Sequence, residues 1–289
     1  MGLLDFIRLR ALMDRTSGRA EIRVGLIDGP VLLTHSDLAS QNIQEVHGNL
    51  PGTCASAKSA ACLHGTFVAG MLAARRGSAA PAICPGCTLL VRPIFSETSP
   101  ANGDMPSATP EELAEAIADC TNAGARVLNL SAALVQPSSK GEHQLQEALD
   151  YAAAHEAISV AAAGNQGTLG SSVITRHPSV IPVAACDLRG SPLRESNLGR
   201  SIGNRGLMAP GEGVTSLGTN GEPQTLGGTS AAAPFVTGTI ALLWSEFPRA
   251  RASQIRLAVT QTGLARRRAI APPLLDAWAA YQTLNSIQA

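Results

Sequence analysis

The chain has 289 residues, of which 45% are hydrophobic and only 3% are aromatic, so small aliphatic side chains must fill its core. Its 22 basic and 22 acidic residues cancel to a formal net charge of zero, which gives no support to binding of nucleic acid or of an anionic membrane. The sequence also lacks a run of roughly 20 apolar residues, the length that a membrane-spanning helix needs.

Residues 1–21 are predicted to form an N-terminal amphipathic extension. Apolar side chains between Leu3 and Met13 are interrupted by charged residues, which is the pattern of an amphipathic helix and not of a signal-peptide core. We expect this helix to pack on a single domain formed by residues 22–289. Recruitment of a partner and contact with a membrane interface are the alternatives.

Strand and helix patterns alternate along the rest of the chain. Short aliphatic and β-branched runs predict buried strands at 22–28, 88–95, 126–131, 157–163 and 180–186. Helices are predicted at about 64–75, 111–123, 142–155, 230–246, 252–261 and 273–285. This alternation predicts an α/β fold with a mostly parallel sheet and helices on both faces. Sites in such sheets lie at the carboxyl ends of the strands.

Two of these elements carry a notable polar side chain at one end. Asp28 closes the first predicted strand, and the turn residues Gly29 and Pro30 follow it directly. His64 begins the helix predicted at 64–75. Taken alone, Asp28 is an ordinary turn residue and His64 an ordinary helix N-cap.

A third polar side chain lies in the stretch 227–234, Gly-Gly-Thr-Ser-Ala-Ala-Ala-Pro. Ser230 falls in the first turn of the helix predicted at 230–246, where unpaired N–H groups and the helix dipole favour negative charge. Thr-Ser before such a helix is by itself a common N-cap. A serine nucleophile, however, needs a base that takes its proton and an anion that orients the base. Asp28, His64 and Ser230 supply these groups in the chain order found in subtilisin.

These motifs resemble those of the subtilisin-like serine proteases, and the resemblance covers nearly the whole chain. Asp-Gly-Pro at 28–30 and Pro-Ile-Phe-Ser at 93–96 are similar, more narrowly, to motifs of the cyanobactin maturation proteases, which act on ribosomally made precursor peptides. The resemblance implies a subtilisin-like three-layer α/β fold. It also implies catalysis through an acyl-enzyme, with Ser230 as nucleophile, His64 as general base and then acid, and Asp28 as the orienting carboxylate.

The resemblance implies further site residues. Asn165 matches the residue that donates a hydrogen bond to the oxyanion together with the nucleophile's backbone N–H, although Asn also fills such turns for local reasons. In subtilisin itself that donor contributes about 3 kcal/mol to transition-state stabilisation. An extended substrate would pair with the main chain as an added strand. The matching substrate-binding residues are Leu130, Ser131, Ala132, Ala133, Ala162, Ala163 and Gly164, with Gln166 and Ser172 at the pocket for the side chain before the cut.

The cysteines raise the question of bridges and metals. One pair flanks a Ser/Ala loop and another forms a C-x-x-C motif, at Cys54 and Cys62 and at Cys84 and Cys87. We expect free thiols, with one or two disulfide bridges as the alternative. A zinc site is least favoured, because the sequence offers no further ligands at suitable spacing. Asp37 matches a calcium ligand of secreted relatives, but the loop at 75–80 carries two arginines. We therefore expect neither a metal nor any cofactor.

The function predicted first is a serine endopeptidase that cuts the leader or recognition sequence from a ribosomally made precursor peptide. The alternatives are a general intracellular degradative subtilisin, a peptide macrocyclase and a non-catalytic binding module. Relatives that form macrocycles carry a helical insertion between the Asp and His motifs, and the short segment 29–63 here favours hydrolysis. Only 27 residues precede Asp28, too few for the folding pro-domain of secreted relatives. The chain is either intracellular or trimmed, and the first alternative is favoured. We therefore expect a cytoplasmic enzyme whose partner is a peptide, with no nucleic acid and no membrane.

Overall fold

The computed structural model describes residues 2–98, 108–131, 141–261 and 270–288. Its strands are β1 Arg23–Asp28, β2 Ile43–Glu45, β3 Thr88–Pro93, β4 Val127–Leu130, β5 Ile158–Ala162, β6 Val180–Cys186, β7 Leu207–Pro210, β8 Val214–Leu217 and β9 Pro223–Leu226. The first seven form one parallel sheet in the order β2-β3-β1-β4-β5-β6-β7, and the last two form an antiparallel hairpin. Because all seven strands run the same way, Asp28 lies with the other carboxyl ends at one edge of the sheet.

Helices cover both faces of this sheet. They are α1 Leu3–Phe6, α2 Leu9–Met13, α3 Ala60–Ala73, α4 Pro110–Asn122, α5 Glu142–Ala154, α6 Val173–Arg176, α7 Arg200–Arg205, α8 Thr229–Glu246, α9 Ala252–Thr260 and α10 Ala277–Gln288. In β1, Leu26 joins the core that includes α3 and α8, whereas its neighbour Ile27 joins the core that includes α4 and α5. The predicted three-layer α/β fold is therefore confirmed. Within the described residues, no helix combines the length and apolar character needed to cross a membrane.

The single amphipathic helix predicted for the N-terminal extension is wrong in its local form. The segment folds as two short helices, because Arg8 between them takes a left-handed conformation with φ of 52°. Ile7, Leu9 and Leu12 are nevertheless fully buried in the same core as α8 and α10.

Two predicted helix boundaries also need correction. The helix that carries His64 begins at Ala60, because the Ser59 hydroxyl accepts a hydrogen bond from the Cys62 N–H and caps the helix there. The last helix begins at Ala277 and not near 273. The segment before it pairs with β7 instead, since Met208 N–H donates to the Pro273 carbonyl and Leu275 N–H donates to the Met208 carbonyl.

Candidate active site

Asp28, His64 and Ser230 lie in one hydrogen-bonded row. His64 Nδ1 lies 2.7 Å from Asp28 Oδ1, and His64 Nε2 lies 2.9 Å from Ser230 Oγ. The three residues come from the carboxyl end of β1, the second turn of α3 and the first turn of α8. Asp28 is fully buried, and the His64 side chain is 12% exposed. The row can therefore pass a proton from a serine hydroxyl to an imidazole that a buried carboxylate orients.

Glycines allow α3 to approach β1 closely enough for this contact. A Cβ on Gly29 would overlap the carbonyl of Ala61, and a Cβ on Gly65 would overlap the carbonyl oxygens of Gly29 and Pro30. Ser59 caps the helix, so His64 is not the N-cap that its isolated sequence would favour. The first turns of α3 are thus packed directly against the turn that follows Asp28.

The environment of His64 favours the charged imidazole. Burial lowers the pKa of His64, while the charge of Asp28 and the hydrogen bond to it raise the pKa, and the net result lies above the usual value of 6.5. Asp28 Oδ1 also accepts a hydrogen bond from Gly29 N–H at 2.6 Å. Its buried Oδ2 atom has no hydrogen-bond partner in the described part of the chain.

Asn165 lies beside the first turn of α8 with its amide orientation fixed. Its Oδ1 atom accepts hydrogen bonds from Thr229 N–H at 2.9 Å and from Thr229 Oγ1–H at 3.0 Å. The Nδ2 end lies against Gly228, where an added Cβ would be only 2.8 Å from it. Gly228 also has φ of 93°, so only glycine suits this position. An amide N–H donor and the N–H groups of the α8 terminus therefore lie close together.

Several of the predicted substrate-binding residues lie at the ends of neighbouring parallel strands. Leu130 ends β4, Ala162 ends β5, and the two strands pair side by side. Gly164 N–H donates to Thr229 Oγ1 at 3.1 Å, which connects this edge to α8. Ala163 follows β5, where its N–H donates to the Val183 carbonyl.

The remaining predicted binding residues are placed as follows. Ser131 lies directly after β4, and its hydroxyl accepts a hydrogen bond from Asn129 at 3.0 Å. Gln166 is exposed and accepts a hydrogen bond from Asn197 Nδ2 at 2.7 Å. Ser172 caps the short helix α6. Ala132 and Ala133 lie outside the described residues.

Sequence reasoning missed the polar side chains that support this site. Thr229 orients Asn165, and the fully buried Asn129 accepts a hydrogen bond from Thr237 on α8 at 2.8 Å. Asn197 accepts hydrogen bonds from the N–H groups of Gln166 and Thr168 and so holds the turn that carries Asn165. A local pattern does not identify these residues, because their partners are far away in the sequence.

The expectation of free thiols is wrong for one pair. Cys54 and Cys62 form a disulfide, since the chain between them brings their Cα atoms to 5.6 Å, a separation that a bridge spans. Cys84, Cys87, Cys120 and Cys186 are free and buried. At Asp37, which matches a calcium ligand of secreted relatives, the Arg75 guanidinium donates to Oδ1 at 2.9 and 3.1 Å and so forms an ion pair with this carboxylate.

This chain is similar to several known proteins. The model of the Subtilase family matches residues 19–280. Subtilisin DY of Bacillus licheniformis is 32% identical over 249 residues, which cover 84% of each chain. The solved structure of the protease domain of PatA has a TM-score of 0.84 and 31% identity, covering 93% of this chain and 97% of that one. The prenylagaramide maturation protease PagA has a TM-score of 0.83 and 26% identity, covering 96% and 98%.

Proposed function

The chain belongs to the subtilase family and is a subtilisin-like serine endopeptidase, and within this activity we propose that it cleaves the leader or recognition sequence from a ribosomally made precursor peptide. The match to a maturation protease over nearly the whole of both chains is the observation that carries the proposal. The solved structure of a second maturation protease, the patellamide maturation protease PatA, is 30% identical to this chain.

The chemistry we assign to the site begins with proton transfer. His64 Nε2 takes the proton of Ser230 Oγ, which attacks the carbonyl carbon of the scissile bond. Asn165 Nδ2 and the Ser230 N–H stabilise the resulting oxyanion. Protonated His64 then gives its proton to the leaving amine, and the acyl-enzyme forms. Water, activated by His64 in turn, hydrolyses the ester and releases Ser230.

Hydrolysis is preferred here to macrocyclisation. The segment between Asp28 and α3 is fully described and contains no helix, only β2 and turns. An inserted helix that would shield the acyl-enzyme from water is therefore missing from residues 29–59. We also propose a cytoplasmic location, where ribosomally made precursors arise. Thiol reductants in that compartment can cleave the Cys54–Cys62 bridge, so the redox state of the bridge in the cell depends on how well the fold protects it.

The main experiment compares selectivity. Mass spectrometry of casein and of candidate precursor peptides digested by the enzyme should show one dominant cut in the precursor and few cuts in casein. Many cuts at varied casein sites would instead indicate a general degradative protease.

Ser230→Ala tests the assigned chemistry. We expect peptide turnover to fall by several orders of magnitude, because the equivalent change in subtilisin lowers kcat by about 10⁶-fold. Circular dichroism and calorimetric peptide binding should remain close to those of the parent protein. Substantial turnover by the folded variant would contradict the assignment of Ser230.

A further inference from the structure

Residues 54–59 form a short loop that leads into α3, here called the capping loop. Two independent contacts fix its position. Cys54 at its start is bonded to Cys62 in the first turn of α3. The carboxylate of Glu97, which lies after β3, accepts hydrogen bonds from two N–H groups within the loop. The capping loop is therefore fixed both to the helix that follows it and to the segment after β3.

Glu97 also contacts the residue that caps α3. It accepts from Ala55 N–H at 2.7 Å, from Ser56 N–H at 2.8 Å and from the Ser59 hydroxyl at 3.1 Å. Ser59 in turn accepts from Cys62 N–H at 3.0 Å as the N-cap. The carboxylate thus orients the capping side chain. Its negative charge also interacts favourably with the positive end of the helix dipole.

The disulfide lies next to the groups that join the acid and the base. Cys62 precedes His64 by two residues, and both lie in the first two turns of α3. Both sulfur atoms lie 4.0 Å from Thr66 Oγ1. That hydroxyl also accepts a hydrogen bond from Leu32 N–H at 2.9 Å, in the segment that follows Asp28. The bridge therefore contacts the side chain that connects the Asp28 segment to the His64 helix.

We propose that Cys54, Cys62 and Glu97 are positioning residues for His64, and that the peptidase needs the intact bridge for full turnover. This inference rests on the proposed role of His64 as general base. None of the three side chains belongs to the hydrogen-bonded row. They act by fixing the first turn of α3, whose displacement would lengthen the contacts of His64 with Asp28 and Ser230.

The same three residues bring two sulfur atoms and a carboxylate within 4.8 Å of one another. In the structure the sulfurs are bonded to each other, and the carboxylate accepts three hydrogen bonds. These contacts favour a positioning role over metal binding. The assays below therefore contain EDTA, so that trace metals do not contribute to the effect of reduction.

Reduction by a phosphine provides the first test. The phosphine gives two electrons to the S–S bond, water supplies two protons and one oxygen, and the products are two thiols and a phosphine oxide. We expect kcat to fall about ten- to a hundredfold, because a displacement near 1 Å is costly in an active site, while KM changes little. The rate at which a fluorophosphonate modifies Ser230 should fall in parallel, because that reaction depends on His64 but not on peptide binding.

Matched variants separate the bridge from other thiols. Cys84→Ser/Cys87→Ser keeps the bridge, so it should respond to the phosphine as the parent protein does. Cys54→Ser/Cys62→Ser should be slow from the start and insensitive to the phosphine. The proposal is overturned if the parent protein keeps its full kcat after thiol titration shows complete reduction, or if the Cys54→Ser/Cys62→Ser variant still responds.

Glu97→Gln tests the hydrogen bonds of the Glu97 carboxylate without any redox chemistry. It should lower kcat and the fluorophosphonate rate at a temperature where the variant stays folded, whereas Glu147→Gln, at an exposed position on α5, should lower neither. A rise in KM with an unchanged fluorophosphonate rate would overturn the proposal, because the loop would then act on substrate binding. A parent protein that neither cleaves peptide nor reacts with the probe would instead refute the proposed function itself.

Discussion

At the residue scale, the pH dependence of the reaction follows from the surroundings of His64. The imidazole must be neutral to take the proton of Ser230, and Asp28 raises its pKa above 6.5 despite burial. We therefore expect kcat/KM to fall tenfold per pH unit on the acid side, with a midpoint above 6.5. A pH–rate profile measures this midpoint, and an NMR titration of His64 in Ser230→Ala checks its assignment.

Asp28→Asn provides the control for this prediction. It removes both causes that raise the pKa of His64 and leaves the burial that lowers it. The acid limb should then move to lower pH, and the plateau rate should fall by several orders of magnitude. An unchanged midpoint in this variant would contradict the role of Asp28 in setting the pKa.

Asn165→Ala removes the side-chain donor that we assign to the oxyanion. Since that charge develops only in the transition state, kcat should fall while KM stays nearly constant; removal of this donor from subtilisin costs about 10²–10³-fold. Asn165→Asp is the isosteric control: its carboxylate can still accept from Thr229 but repels the oxyanion, so its rate should be no higher. Steady-state kinetics on one peptide decides between these outcomes.

Local sequence was informative about these residues to different degrees. Asp28, His64, Ser230 and Asn165 each lie in a short motif of small residues at the end of an element, which makes them visible. Glu97 has no such motif, because its significance comes from hydrogen bonds to a loop some 40 residues away. A sequence alone also suggests an ordinary pKa for His64, since the buried carboxylate beside it exists only in the fold.

At the element scale, the approach of α3 to β1 determines whether Asp28 and His64 meet. Gly65→Ala should destabilise the protein by about 1–3 kcal/mol, because its Cβ would overlap two carbonyl oxygens. We also expect kcat to fall about a hundredfold as α3 shifts. Urea denaturation and kinetics measure the two effects.

Gly170→Ala is the matched control for the stability measurement, because an added Cβ there meets no heavy atom within 4 Å. It should unfold at nearly the same urea concentration as the parent protein. A Gly65→Ala variant that keeps both stability and turnover would show that α3 can dock without this close approach.

Elements could be predicted where they are long and buried on both sides. β6, Val180–Cys186, lies where its aliphatic run predicts it. β2, with three residues, is too short for a pattern of its own, and it exists because the neighbouring strand β3 offers an unpaired edge. The sequence places the start of α10 too early, because pairing of residues 273–275 with β7 outweighs the local helix preference.

At the scale of the whole molecule, the two ends of the chain pack together. Leu9 and Leu12 of α2 are fully buried in the core shared with α8 and α10. Ala277 N–H donates to the Ile7 carbonyl at 3.0 Å, and Arg8 Nε lies 2.7 Å from Asp276 Oδ1. A segment whose composition is amphipathic is thus used as part of the core.

This packing predicts unequal effects for two neighbouring substitutions. Leu12→Ala should lower the free energy of unfolding by about 2–5 kcal/mol, because it leaves a cavity in a closed core. Arg8→Ala should cost less than about 1 kcal/mol, because the Arg8 and Asp276 side chains are 49% and 30% exposed and solvent screens their attraction. Arg15, just after α2, pairs with Glu246 at the end of α8 opposite to Ser230, so kcat at a temperature where both variants stay folded should match that of the parent protein. If Arg8→Ala were the more destabilising change, the ion pair and not the apolar contact would hold the two ends together.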